Sequence, residues 1–152
     1  MPELTPDLIA FILEAKQKTY AAGGVHAPSS RPASVDLPYR RGAYFYYDSY
    51  LGGFDFLGEE AVWLDDLPGW GMNYHGYMLV PQVPDGFGEF LKRALLEVPP
   101  NTPYRGPGFY KEGAYEYRCE WNGAPDRFEG RETICLDQKP VYELVFHGGI
   151  II

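Results

Sequence analysis

The stretch from Gly42 to Gly76 constrains the fold more than any other feature, because the chain spells it twice. Sliding Gly42 to Asp55 forward by 71 positions pairs Gly42, Ala43, Tyr44, Tyr46, Gly52 and Asp55 with Gly113, Ala114, Tyr115, Tyr117, Gly123 and Asp126. After one extra residue, Arg127, the offset becomes 72, and Phe56, Gly58, Glu60, Leu64, Asp65, Pro68, His75 and Gly76 meet Phe128, Gly130, Glu132, Leu136, Asp137, Pro140, His147 and Gly148. The first segment gives 6 identities and the second 8, so 14 of 35 aligned positions are identical. Chance at this composition would give roughly two or three. The pattern implies an internal duplication, and 152 residues suit one domain in which two copies share a core.

Local signals place the elements. Thr5-Pro6-Asp7 opens a helix, with Thr5 as N-cap, Pro6 where its missing N–H costs nothing and Asp7 at the positive end of the dipole. Leu8, Ile9, Ile12, Leu13 and the stem of Lys16 follow at three-and-four spacing, and Gly23-Gly24 ends the helix. Strands are expected at Gly42 to Ser49, Glu59 to Leu64 and Trp70 to Val80. A second helix runs through Phe87, Phe90, Leu91, Ala94, Leu95 and Leu96 until Pro99-Pro100 stops it. Strands follow at Tyr110 to Trp121, Arg131 to Leu136 and Val141 to Ile152. The expected fold class is therefore α+β: a helix-plus-three-strand unit made twice, at about 5–80 and about 86–152, in one domain over 1–152, with a mostly antiparallel sheet and both helices on one face. Ala21 to Pro38 shows no period and reads as an unstructured connection, either a lid or an ordered wrapping.

Charge and composition narrow the partners. A net charge of -8 removes the general attraction to phosphate on which nucleic-acid binders rely, so direct binding to DNA or RNA is not expected. The first residues lack a basic leader and no apolar run reaches the length of a membrane span, which points to a cytoplasmic protein without a membrane partner. Cys119 and Cys135 lie on what read as neighbouring strands that could bring them face to face; in a reducing compartment they read as two small buried thiols rather than a disulfide.

Strand alternation separates a core face from a possible site. Tyr44, Tyr46, Val62, Leu64, Trp70, Met72 and Tyr74 fall on one face, as do their matched partners. Glu60 and Glu132 share it and must be paired or hydrogen-bonded, by a Tyr hydroxyl or by Arg40 and Arg105. The opposite face carries Phe45, Tyr47, Ala61, Trp63, Asn73 and His75 in the first copy, but Glu116, Arg118, Glu120, Thr133, Cys135 and Glu143 in the second. An aromatic patch of that kind marks a ligand groove or an interface. The expected ligand-binding set is Tyr47, Trp63, Asn73 and His75 as walls, with Arg40, Asp48 or Glu60 as polar contacts and the segment bearing Arg31 and Asp36 as lid.

The expected function is binding or sensing of a small molecule. One alternative is an enzyme using Glu60 or His75 as acid or base; another is a module that self-associates through the aromatic face, as a homodimer. Neither GxSxG, GxxxxGK[ST] nor a GxGxxG after a strand is present, so no catalytic set is assigned and no cofactor is expected. His75 and His147 lack metal-ligand spacing, and no metal is expected.

The run Ser30-Arg31-Pro32, Asp36-Leu37, Tyr39-Arg40, Gly42, Tyr44-Phe45-Tyr46, Asp48-Ser49-Tyr50, Gly52-Gly53, Phe56, Gly58-Glu59-Glu60, Trp70, Met72-Asn73-Tyr74 and Phe146-His147-Gly148-Gly149 resembles a bacterial and archaeal domain of unknown function. That family occurs alone or C-terminal to an Xre-type helix-turn-helix, and the resemblance covers about Ile9 to Ile152. It implies no chemistry by itself. It does imply a relationship to effector domains of Xre-type regulators, here as a sensor without the DNA-reading part.

Overall fold

A computed structural model describes residues 4–19 and 24–152. Eight strands, β1 (Val35–Arg41), β2 (Tyr44–Gly52), β3 (Phe56–Leu64), β4 (Leu67–Met78), β5 (Phe109–Glu112), β6 (Tyr115–Ala124), β7 (Arg127–Leu136) and β8 (Lys139–Ile150), form a single sheet in the order β1-β2-β3-β4-β8-β7-β6-β5. Every neighbouring pair is antiparallel, with β4 against β8 in the middle and β1 and β5 at the edges. Helix α1 (Pro6–Lys18) precedes the sheet, and α2 (Phe87–Leu96) lies in the crossover from central β4 to the far edge at β5.

Turn chemistry explains the hairpins. β3–β4 and β7–β8 are joined by two-residue loops, Asp65-Asp66 and Asp137-Gln138, with φ of 50° and 63° and of 49° and 65°. Positive φ at both central positions gives the twist that matches antiparallel strands, and Asp tolerates it through short polar contacts. β1–β2 and β5–β6 use Gly42-Ala43 and Gly113-Ala114, with the glycine at positive φ in first position.

These facts correct the expected architecture. The fold is predominantly sheet, and the helix-plus-three-strand unit with its helices on one face is not the unit that forms: each side of the sheet centre holds four strands. The additional strands are β1, which begins inside what reads as an unstructured connection and runs past its end, and β5, split from the expected Tyr110 to Trp121 strand by the Gly113-Ala114 turn. Val35-Asp-Leu-Pro-Tyr-Arg-Arg hides its strand character because Pro38 and three charges break the pattern. At a sheet edge, proline and charge are what a strand tolerates best.

Helix α1 begins as its sequence dictates, with the Leu8 N–H donating to Thr5 Oγ1 at 3.1 Å. Its buried stripe is Leu8, Phe11, Ile12, Ala15 and Lys16, while Ile9 and Leu13 are only half-buried. It ends at Lys18 with Thr19 as C-cap; Gly23, and Ala21 to Gly23 of the presumed lid, lie outside the described residues. Phe11 stacks on Tyr44 at 5.0 Å, and Phe90 of α2 stacks on Tyr115 at 4.9 Å. One core joins Tyr46, Val62, Trp70, Met72, Tyr117, Ile134, Tyr142, Leu144 and Phe146 to both helices. Leu64, read as core, is exposed at the end of β3.

The cysteines do not face each other. Cys119 is paired with Glu132 and points into the core, whereas Cys135 is three residues further along β7, on the opposite face, and both thiols are free. Burial pushes the Cys119 thiol up to about 12.

Val62 and Ile134 are 1% and 0% exposed. Truncation leaves a cavity under a packed sheet, so Val62→Ala is expected to cost about 1–3 kcal/mol and Ile134→Ala about 2–5 kcal/mol in urea unfolding. A loss under about 0.5 kcal/mol at either site would show that the strand faces outward there.

Candidate functional site

Five ionisable side chains are buried together under the sheet. Glu60 is sealed by Lys16, whose Nζ donates to both carboxylate oxygens at 2.9 Å and to the Tyr104 carbonyl at 2.7 Å; the Tyr46 hydroxyl also donates to Glu60. Glu132 accepts a bidentate pair from Arg105, at 3.0 and 2.9 Å, and hydroxyl bonds from Tyr117 and Tyr142. Burial lowers the Lys16 pKa, opposed by the attraction of Glu60. Asp48, opposite Glu60 in the β2–β3 register, is the fifth, and it is only 3% exposed. It accepts one hydrogen bond, from the Tyr74 hydroxyl at 2.6 Å, and forms no ion pair among the described residues. Burial, and then the neighbouring Glu60 charge, push its pKa up to about 7.

Asp48 stands at the inner end of a cavity of about 510 Å³. Leu37 of β1, Tyr50 of β2, Phe56 of β3 and Phe87, Leu91 and Leu95 of α2 form its apolar walls. Tyr74 and Arg105 join Asp48 at the buried end, while exposed Phe54, Lys92 and His26 stand at the mouth. α2 can form a wall because Phe87, Leu91 and Leu95 fall on one side of a 3.6-residue helix. Arg105 is held inward by Glu132, with its guanidinium carbon 5.6 Å from the Tyr74 ring centre.

Of the residues expected to bind a ligand or to mark the lid, Asp48 lines this cavity and Arg31, Asp36, Arg40, Tyr47, Glu60, Trp63, Asn73 and His75 do not, although Gly24, His26, Val35 and Leu37 of the segment read as a lid do. Glu60 is locked in its ion pair, and its cation is Lys16 rather than Arg40, which is exposed and lies over Phe45 at 4.4 Å. Phe45, Tyr47 and Trp63 do cluster on the other face, with ring separations of 5.7 and 5.5 Å from Phe45. Asn73 and His75 are exposed on that face, but His75 pairs with Leu57, six residues along β3 from Trp63. At strand spacing this places them about 20 Å apart, so they do not form one wall. Arg31 and Asp36 fasten their segment to the edge of the same face: Arg31 donates to Ser49 at 2.7 Å, and Asp36 accepts from Ser30 N, Tyr47 and Ser49, each at 2.7 Å. Burial alone would raise the Asp36 pKa, but these hydrogen bonds outweigh it and hold the carboxyl below the usual range.

A sequence signal for the cavity exists on the core face. The position matched to Asp48 is Cys119 and the one matched to Tyr74 is Phe146, so a hydrogen-bonded acid and phenol stand where the other side has a thiol and a plain ring. The Lys16 role is written in its place on the buried stripe of α1, four residues after Ile12.

Among the described residues no helix is long and apolar enough to cross a membrane. Residues 48–151 match the model of a protein family described as "Domain of unknown function (DUF5680)", a narrower span than the resemblance read from the sequence. No curated protein and no solved structure matches the chain.

Removing Lys16 while leaving Glu60 strands a charge in the core. Lys16→Met should cost about 3–5 kcal/mol, and adding Glu60→Gln should recover part of it, as a double-mutant cycle by urea unfolding will show. Asp48 gives a pH signature. Its native pKa of about 7 lies above the roughly 3.9 of an unfolded aspartate, so the folded state holds a proton that the unfolded state releases. Its contribution is fully present below about pH 4 and is lost as pH rises through about 7, by up to about 1.4 kcal/mol per pH unit. Asp48→Asn should flatten that part of the stability profile measured from pH 5 to pH 8.

Proposed function

We propose that this chain, which belongs to the family DUF5680, binds a small molecule in the cavity between α2 and the β1–β4 side of the sheet. The observation that carries the reading is a volume of about 510 Å³ with apolar walls and a buried carboxyl at its inner end. Ligand sites have this size and build: mostly hydrophobic lining, with a few convergent polar groups that set orientation. The resemblance to domains that stand behind an Xre-type helix-turn-helix supports a sensing role in which ligand occupancy reports to a regulator. A second reading, self-association through the open face, is favoured by the half-buried Phe45, Tyr47 and Trp63 cluster.

Nile red fluorescence titration tests the site, alongside native mass spectrometry of protein purified from its own host for a retained ligand. Leu91→Trp, which fills the cavity from α2, should weaken Nile red binding at least about tenfold, whereas Trp63→Ala should leave it within about twofold. The reverse pattern would move the site to the aromatic open face. Sedimentation of Trp63→Ala against the unmodified chain tests self-association: an unchanged mass at high concentration removes that reading.

A further inference from the structure

The charges around the cavity leave one negative group without a positive partner, and this identifies the ligand class if the cavity is a binding site as argued above. Lys16 neutralises Glu60 and Arg105 neutralises Glu132, each through two hydrogen bonds. Asp48 remains, with a phenol hydroxyl as its one partner among the described residues. Lys92, on α2 at the mouth, is exposed and forms no ion pair with Asp48 among the described residues. An ionised carboxylate buried without a cation is costly, and a ligand that brings the cation relieves the cost. The walls suit the same chemistry. Tyr50, Tyr74, Phe54, Phe56 and Phe87 line the cavity around Asp48, and the faces of aromatic rings attract cations that have left water.

We propose that the cavity takes an organic amine, its ammonium donating to Asp48 and its apolar body lying among Tyr50, Phe56, Phe87 and Leu91. A carboxylate ligand would meet the Asp48 carboxylate at the buried end and be repelled, while Arg105, which lines the same end, is already engaged by Glu132. A neutral alcohol would hydrogen-bond to Asp48 but leave its charge unpaired. The groups that face Asp48 set the pH response: Glu60 raises its pKa, whereas Lys16, Arg105 and the Tyr74 hydrogen bond lower it, and burial dominates. Because Asp48 takes up a proton near neutrality, an amine must displace that proton. Amine binding therefore weakens as pH falls below about 7.

The test uses three indoles of matched shape, tryptamine, tryptophol and indolepropionate, competing with Nile red at pH 8 and pH 5.5. Tryptamine should compete at least about tenfold better than tryptophol at pH 8, indolepropionate should be weakest, and the amine preference should shrink at pH 5.5. Asp48→Asn, which keeps the side-chain shape, should abolish the preference while still binding Nile red. Equal competition by tryptamine and tryptophol, better competition by indolepropionate, or no competition by any of the three overturns the amine assignment. Those outcomes leave the cavity reading intact if Nile red binds the unmodified chain and not Leu91→Trp. Failure of Nile red to distinguish those two proteins, with both shown folded by circular dichroism, overturns the cavity reading itself and the amine assignment with it.

Discussion

Burial of Glu60 and Glu132 under the sheet is the constraint on which the rest of the structure hangs, because neither carboxylate is paired from within its own strands. The cation for Glu60 comes from α1 and the cation for Glu132 from the buried crossover segment before β5. That segment, Pro103 to Gly106, crosses the core with all four residues buried. Its backbone is used at both ends: the Tyr104 carbonyl accepts from Lys16, and the Gly106 N–H donates to the Tyr117 oxygen, whose own hydroxyl donates to Glu132. One short stretch thus ties α1, the first four strands and the last four together. A side chain at Gly106 would meet the Tyr117 ring and hydroxyl at 2.6 Å, which is why glycine stands where the chain passes so close to β6.

Such a core is not the cheapest that would fold. Buried ion pairs repay their desolvation only when every lone pair is used, and an apolar replacement is often as stable. Glu132 meets that condition, with two bonds from Arg105 and one each from two tyrosines, and Glu60 comes close to it with two bonds from Lys16 and one from Tyr46. What the pairs supply is placement. A hydrophobic helix can slide on an apolar sheet, but α1 with Lys16 on Glu60 has one register. The consequence reaches the cavity, because Asp48 sits beside Glu60 in the strand register and Arg105 supports the Tyr74 ring from below.

Local chemistry was readable where one residue decides: the Thr5 cap, the extent of α2, and the burial of Glu60 and Glu132. The number of strands was not, because edge strands β1 and β5 bury too little to impose alternation, and Pro38 disguises the first. The partner of Glu60 was hidden for a different reason. A lysine on a helical stripe reads as an aliphatic stem with a solvated head, and only the sheet's position shows that the head is the buried part. Aromatic content differs between the halves on the opposite face, and that difference does not mark the cavity. The decisive differences, Asp48 against Cys119 and Tyr74 against Phe146, lie on the core face.

The reason one side has a cavity at all can be seen by following a single ring. On the β5–β8 side, Tyr104 fills the space over the sheet: it stacks on Phe128 at 3.9 Å and lies 6.1 and 6.0 Å from Trp121 and Phe146. The positions matched to those three are Phe56, Tyr50 and Tyr74, and all three line the cavity. Tyr39 is not the counterpart of that ring: it pairs with Tyr46 on β1 as Tyr110 pairs with Tyr117 on β5, and it stacks with Phe11 and donates to Glu14 at 2.6 Å. β1 therefore supplies no plug for its side, and the space stays open as the cavity. The plug is also imperfect, since the buried Tyr104 hydroxyl has no hydrogen-bond partner among the described residues and burial raises its pKa to about 12. The side without a plug carries Asp48 and Tyr74, polar groups that an aromatic ring could not satisfy. Open volume and unmatched polarity thus arise at the same place, and a ligand that supplies both a ring and a hydrogen-bond donor does there what Tyr104 does, incompletely, on the other side.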